Sequence, residues 1–262
     1  MAKIIAVTNQ KGGVGKTSTA SAIVSGLEEK GYKVLAIDLD PQGNLGFCLG
    51  AEIENSPTVY ELMKGSQPAE EVIQRSNGID VIPSNILLSS AELEFNNIGR
   101  EYLLRNGIAP IVNNYDFIII DTPPALNVLT VNAYTATDNL IIPMVPEILS
   151  LLGISQLRET IELVRKYYNP GIAVLGILLN KYDKRRLLTR DVSEMAETIA
   201  GELGTVVFDA KIRSSVAVAE APAHGASVYR HSAKSNSTFD YRCFIDELLE
   251  REGMIRNGKK NQ

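Results

Sequence analysis

The chain has no tryptophan, two cysteines and two histidines in 262 residues. Cys48 and Cys243 stand far apart, without CxxC spacing and without a histidine beside them, which excludes a disulfide framework and a cysteine-based zinc site. His224 and His231 lie in polar surroundings with no serine-and-carboxylate arrangement, so a hydrolase triad is not expected. Long apolar runs are missing as well. No uncharged apolar stretch approaches the roughly 18 to 20 residues that cross a bilayer. Met1-Ala2-Lys3 leads into Ile4-Ile5-Ala6-Val7, too short for the apolar region of a secretory leader, and a cytoplasmic location is expected. A net charge of -5 argues against a uniformly basic nucleic-acid binder, but the charge is uneven. Residues 1 to 175 hold 12 lysines and arginines against 19 acids, whereas residues 176 to 262 hold 14 against 12, so a basic face remains open to the carboxyl-terminal third.

What is present is the composition of an ordinary globular protein, 45% hydrophobic and 22% charged, with enough apolar residues for a large core. Short apolar runs that end in polar residues or glycine alternate with longer amphipathic segments, the pattern of parallel strands joined by crossover helices. Strands are predicted at Lys3 to Thr8, Lys33 to Asp38, Ile79 to Ile82, Phe117 to Asp121, Leu140 to Pro143 and Val174 to Leu179. Their near-continuous Ile, Val and Leu content implies burial on both faces. Helices are predicted at Lys16 to Lys30, Val128 to Thr137, Leu151 to Tyr168, Asp191 to Leu203 and Phe239 to Glu252. The fold class is therefore α/β, a three-layer, mostly parallel twisted sheet with helices on both faces. Residues 50 to 110, punctuated by Pro57, Pro68 and Pro83, read as short helical pieces elaborating the same domain. One domain over 1–262 is expected, with 257–262 as a frayed tail.

Gln10-Lys11-Gly12-Gly13-Val14-Gly15-Lys16-Thr17 follows the first strand and opens a helix. Glycines there let backbone N–H groups turn toward phosphates and the helix amino terminus adds partial positive charge. Lys16 can reach β and γ phosphates, and Thr17 can hold Mg²⁺. The usual G-x-x-x-x-G-K-[ST] pattern is not met, because Gln10 occupies the first glycine position and a second lysine, Lys11, stands near the start of the loop. The second strand ends in Asp38-Leu39-Asp40-Pro41-Gln42-Gly43-Asn44; two acids at i and i+2 on extended chain face one side, at the edge where a parallel sheet binds ligands. Four apolar residues precede Asp121-Thr122-Pro123-Pro124, the form of a strand whose terminal acid binds a metal directly or through water.

The run KGGVGKT resembles the deviant Walker A loop of the ParA/MinD superfamily, DLDPQGN resembles its switch I, and DTPP its switch II. Further likeness to ParA/Soj-type partition ATPases lies in IPMVPEILSLLGISQL, from Ile142 to Leu157, and in Ala219-Glu220-Ala221-Pro222-Ala223-His224-Gly225. The resemblance runs from residue 3 to about residue 251. It implies that Lys11, Gly12, Gly13, Val14, Gly15, Lys16, Thr17 and Ser18 bind ATP, with Lys11 reaching the nucleotide of a partner subunit. Thr17, Asp38 and Asp121 would serve Mg²⁺, and Asp40 would orient the attacking water, making Lys11, Lys16 and Asp40 the catalytic set. An ATP-dependent homodimer, slow hydrolysis stimulated by a ParB-like adaptor, and sequence-independent DNA binding are implied in turn. A MinD-like membrane switch and a non-hydrolysing scaffold are the rival readings; Phe239 to Glu252, rich in acids, is a poor membrane helix, and no membrane partner is expected.

Asn180-Lys181-Tyr182-Asp183 matches the N-K-x-D pattern of guanine recognition, yet the Asn180 amide can serve adenine equally, and the resemblance favours ATP over GTP. Candidate phosphate contacts on DNA are Lys184, Arg185, Arg186, Arg190 and Arg213, with Arg230, Lys234 and Arg242 as candidates to join them on folding. ParA sequences commonly carry I-P-R-N-V-[RK] where this chain has Ile212-Arg213-Ser214-Ser215-Val216-Ala217, a departure at one of these positions.

Overall fold

Alternation along the strands divides the apolar residues between two faces of one sheet. The computed structural model describes residues 1–183, 185 and 187–254, leaving aside the side chains of 148–153, 155 and 187–190. The strands are β1 Lys3–Val7, β2 Val34–Asp38, β3 Gln74–Ser76, β4 Ile79–Ile82, β5 Phe117–Asp121, β6 Asn139–Met144 and β7 Ala173–Leu179. They form a sheet of order β3-β4-β2-β5-β1-β6-β7. Every pairing is parallel except β3 with β4.

The six longer or site-forming helices are α1 Lys16–Glu29, α2 Asn44–Leu49, α3 Val128–Ala136, α4 Ile148–Tyr167, α5 Leu187–Glu202 and α6 Asn236–Arg251. Ile5, Val7, Ala36, Phe117 and Ile119 pack on one face against Ile23 and Leu27 of α1, Leu45 of α2, and Phe244 and Leu248 of α6. Ala6, Ile37, Ile118, Ile120 and Ile142 face the other way, onto Leu129 of α3, Leu157 and Ile161 of α4 and Ala196 of α5. The predicted three layers are thus present. Each fully buried aliphatic side chain in such a layer contributes on the order of 1.5–3 kcal/mol, so both faces hold the sheet rigid beneath the site.

Strand order reverses around β1: the chain leaves it through α1 to β2 on one side, and later leaves β5 through α3 to β6 on the other. Open α/β sheets bind ligands in the crevice at such a reversal. Element ends differ from expectation by up to four residues, and a cap decides one of them. The last helix starts at Asn236 rather than Phe239 because the Ser235 hydroxyl accepts from Thr238 N, closing the first turn earlier. In the hairpin β3–β4, β4 is the predicted strand Ile79 to Ile82, whereas β3 has no counterpart among the predicted strands. The hairpin turns on Asn77-Gly78, both at positive φ, 53° and 86°.

Gly176 in β7 has no room for a side chain: an added Cβ would lie 2.4 Å from Phe208, whose ring is boxed by Phe244 and Arg251. Gly201, in α5, has nothing within 4 Å. Gly176→Ala should destabilise by about 1–3 kcal/mol, and Gly201→Ala should stabilise by about 0.5 kcal/mol, both read by chemical denaturation. Equal effects would contradict this account of the β7–Phe208 contact.

Candidate nucleotide site

Gly15 caps α1 in the left-handed conformation, φ 91°, and no side chain caps the helix. The first-turn amides are therefore left for a ligand, with the positive end of the helix dipole behind them. Gly13 is also left-handed, at φ 75°, and Gly12 has open space where a Cβ would be. A Cβ on Gly15 would meet Asn180 Nδ2 at 2.7 Å. Asn180 is buried beneath the loop, its Nδ2 donating to Val14 O at 2.9 Å and to Thr19 Oγ1 at 3.1 Å, while its Oδ1 is buried without a partner. The amide that the sequence offered to a base is half spent on the loop; only its acceptor oxygen remains.

The loop borders a cleft of about 420 Å³ at the carboxyl ends of the strands, a size suited to a small ligand. Gly12 to Ser18, Asp40 and Asn180 all line it. Lys16 is buried, its Nζ 3.4 Å from Lys11 O. Burial lowers its pKa, and the charges of Asp121 and Asp40 oppose that fall. Lys11 itself does not line the cleft. Its ammonium sits 2.5 Å from Glu147 Oε2, just ahead of α4, and this pairing lowers the Glu147 pKa.

Asp38 and Asp121 are register partners at the ends of β2 and β5, both fully buried one layer below the cleft. Their environments differ sharply. Asp38 Oδ1 accepts from Asp40 N at 3.0 Å, and Oδ2 accepts from Leu45 N at 2.8 Å and Gly46 N at 3.1 Å. It thereby fastens the turn after β2 and the start of α2. Desolvation nevertheless pushes its pKa up to about 7 against those amides. Neither oxygen of Asp121 has a hydrogen bond of ordinary geometry. Burial, then the Asp38 charge, raise its pKa well above the carboxylate range, and the Thr17 hydroxyl and Lys16 ammonium pull it back. An orphaned buried carboxylate beside a threonine hydroxyl fits a divalent cation that takes one or two carboxylates and fills its remaining positions with phosphate and water. Among the described residues there is no cluster of three or more acid, histidine or cysteine side chains for an all-protein metal cage, which such a cation does not need.

Asp38 and Asp40 do not face the same side of an extended chain. The strand stops at Asp38, whose carboxylate accepts the Asp40 amide in an Asx turn, and Asp40 repeats the device by accepting from Gln42 N at 3.0 Å. Asp38 is thus turned inward and Asp40 is carried out to the cleft wall.

The basic residues separate. Lys184 and Arg186 lie outside the described residues, as does the side chain of Arg190. Arg185 is exposed and forks onto Asp183. Arg213 is exposed, with its guanidinium held by Asp240 at 2.6 Å, and the residue lines the cleft. Arg242 pairs with Glu29 at the far end of α1, and Arg230 bonds Asn77 at the hairpin turn. Sequence reasoning also missed Tyr241, Val218 and Ala219 as cleft residues. The departure at Ile212 to Ala217 was the available signal for this wall; nothing around Tyr241 in sequence marks it.

An uncapped, glycine-looped helix over a strand-end carboxylate defines a P-loop nucleotide-binding protein. A family model described as "AAA domain" matches residues 2–174. The chromosome partitioning protein ParA of Caulobacter vibrioides is 38% identical over 256 residues, covering 95% of this chain and 95% of its own. The sporulation initiation inhibitor protein Soj of Bacillus subtilis is 38% identical, covering 95% of this chain and 98% of its own. A solved Mycobacterium smegmatis structure, described as cobyrinic acid a,c-diamide synthase with bound ATP analogue and magnesium, is 35% identical, covers 98% of each chain and has a TM-score of 0.84. The chain belongs to the ParA/Soj family of partition ATPases.

Because folding raises the Asp38 pKa to about 7, its favourable contribution is complete below the unfolded value, about 4, and is lost as the pH climbs through 7. The melting temperature of nucleotide-free protein should fall between pH 5 and pH 7, and Asp38→Asn should flatten that slope. An equal slope in the variant would contradict the assignment of this titration to Asp38.

Proposed function

We propose that this protein is a nucleotide-switched partition ATPase that binds Mg²⁺ and ATP in the cleft, dimerises on ATP and holds DNA without regard to sequence. The observation that carries the reading is the partnerless buried carboxylate of Asp121 beneath an uncapped helix. It is supported by the ATP analogue and magnesium bound to the M. smegmatis relative and by the partition roles for which the C. vibrioides relative is named.

The loop amides from Gly12 to Ser18 and the Lys16 ammonium hold the phosphates, and Thr17 with Asp121 holds the metal, which when bound neutralises charge building on the transferred phosphoryl group. Asp38 serves that centre indirectly, by fastening the turn that carries Asp40. Asp40, on the cleft wall, orients the attacking water. The side chain of Lys11 points out of its own cleft, consistent with use by a second copy of the chain; Glu147 holds it until then. A ParB-like adaptor speeds hydrolysis, and the two nucleotide states differ in DNA affinity. Arg185 and Arg213, both exposed, supply the DNA contact together with Lys184, Arg186 and Arg190. Binding through phosphates makes the contact salt-sensitive and places the protein on the nucleoid.

Phosphate release, light scattering of eluting species and retardation of random DNA, measured on one set of variants, test this reading. Asp40→Ala should bind ATP, form dimers and lose at least ~10²-fold in turnover, the scale of a lost proton-handling group. Lys11→Ala should bind ATP and stay monomeric, and Arg185→Glu with Arg186→Glu should lose DNA alone. Turnover must occur with ATP and water and no acceptor carboxylate, which separates a partition switch from the amide-forming enzyme for which the M. smegmatis relative is named. Full turnover in Asp40→Ala, or a preference for GTP, would contradict the proposal.

A further inference from the structure

Beside the turn that carries Asp40 the surface opens into a second groove, of about 460 Å³, which shares no lining residue with the nucleotide cleft. Pro41 and Gln42 line it from that turn, Ile86 and Leu87 from the segment after β4, and Ile53 and Glu54 complete it. Ile86 and Leu87 begin a short 3₁₀ helix, Ile86–Ser90. The Asn85 side chain caps it by accepting from Leu87 N at 3.1 Å, and Leu88 alone of the first three residues is buried. Ile86 and Leu87 stand 66% and 51% exposed. An apolar pair held at the surface beside a concave wall, and not scattered singly, is a feature of binding surfaces.

The segments that build this groove carry charge of one sign. Residues 34 to 63 hold five acids and residues 76 to 99 hold three, and neither stretch holds a lysine or an arginine. Asp38 is buried, and Asp80, Glu61 and Glu94 are engaged by Arg75, Thr58 and Lys64. Glu54, on the groove, has no ion pair among the described residues. Neither has Glu52, whose carboxylate accepts Glu54 N at 2.8 Å. Apolar contact area under an unmet negative field fits a partner that brings both an apolar side chain and cations. A second copy of this chain, meeting the groove with its own groove, would bring the same acids and be repelled.

One hydrogen bond joins the groove to Asp40. Gln42 N donates to Asp40 Oδ1 at 3.0 Å, so movement of the groove wall moves the carboxylate. The other side of the turn has no room to yield. Gly43, at φ 66°, lies so close to Ser84 O that a Cβ would stand 2.7 Å from it, and a Cβ on Gly46 would stand 3.1 Å from Pro83. Pressure on Pro41 and Gln42 is thereby passed to Asp40 and not absorbed by the packing behind. Given the adaptor-stimulated turnover read under Proposed function, on which this inference rests, we propose that the groove is the docking site of the activating partner. The docking segment seats an apolar side chain between Gln42 and Leu87 and sets cationic neighbours against Glu52 and Glu54. Docking repositions Asp40 through Gln42, acting on the orientation of water and leaving nucleotide affinity alone.

Fluorescence anisotropy tests this with three synthetic peptides, alternating leucine with lysine, leucine with glutamate, or serine with lysine. Four proteins are compared: wild type, Ile86→Ser with Leu87→Ser, Glu54→Lys, and Leu163→Ser, an exposed residue of α4 outside the groove. Phosphate release, light scattering and thermal melts run alongside. The leucine-lysine peptide should bind wild type at least ~10-fold more tightly than either control peptide, the scale of an apolar side chain seated in a pocket. Ile86→Ser with Leu87→Ser should raise its Kd ~10-fold and Glu54→Lys about threefold, the scale of an exposed charge pair, while Leu163→Ser should leave it unchanged. Bound peptide should raise kcat in wild type without changing the KM for ATP, and the double variant should keep basal turnover and lose that rise at the same peptide concentration. Unchanged peptide affinity in the groove variants, no preference over the control peptides, or binding without a rise in kcat overturns the proposal. Loss of ATP-dependent dimers in a folded double variant also overturns it, by assigning the groove to a second copy. Basal turnover of wild type leaves the ATPase reading standing in each of these cases, and its absence removes both.

Discussion

Two carboxylates buried side by side set the terms for this site. Asp38 and Asp121 end adjacent strands with no exposure to solvent. A buried charge is costly unless compensated, and two of like sign compound the cost. Asp38 is compensated by three backbone amides, and in taking them it shapes the turn that carries Asp40 to the cleft. Asp121 has no such compensation. The fold therefore holds an unmet demand for positive charge at the place where Lys16, Thr17 and the helix terminus converge. A divalent cation with a polyphosphate meets that demand, and ligand binding and relief of strain in the protein become the same event.

The rest of the molecule keeps that demand in place. Apolar side chains alternate between two helix layers, so the strand ends cannot shift without disturbing both cores. The loop is gripped from beneath by Asn180 and from the side by Lys181, both at the end of β7, with two strands between it and the β5 strand that carries Asp121. Its glycines at positive φ allow the carbonyls to be held on one side while N–H groups face the cleft. Lys11 is the one loop lysine directed elsewhere. Its pairing with Glu147 gives the isolated chain a resting position for a residue whose proposed work is on another molecule.

Much of this was legible in sequence because the signals were local. The loop, the β1 and β5 strands and the terminal Asp121 follow from residue order within a dozen positions. The i, i+2 reading of Asp38 and Asp40 failed because it assumed extended chain, whereas an aspartate at a strand end bonds its own backbone two residues on and turns the chain. The strand β4 was legible, but its hairpin partner β3 was missed despite an Asn-Gly pair, since β3 has three residues and no apolar alternation. The ion pair of Arg213 was not legible, because charge clusters in sequence carry no information about partners. Its carboxylate, Asp240, lies 27 positions away on α6. Tyr241 reaches the cleft from the same helix, a long-range placement that no motif encodes.

The dependence of ATP affinity on Mg²⁺ tests the central role of Asp121 most directly. Titrating ATP with and without Mg²⁺ into wild type and Asp121→Asn should show strong Mg²⁺ enhancement in wild type and little in the variant. Metal-free affinity in the variant should equal or exceed that of wild type, because one buried negative charge is gone. Undiminished Mg²⁺ enhancement in a folded Asp121→Asn protein would contradict the account.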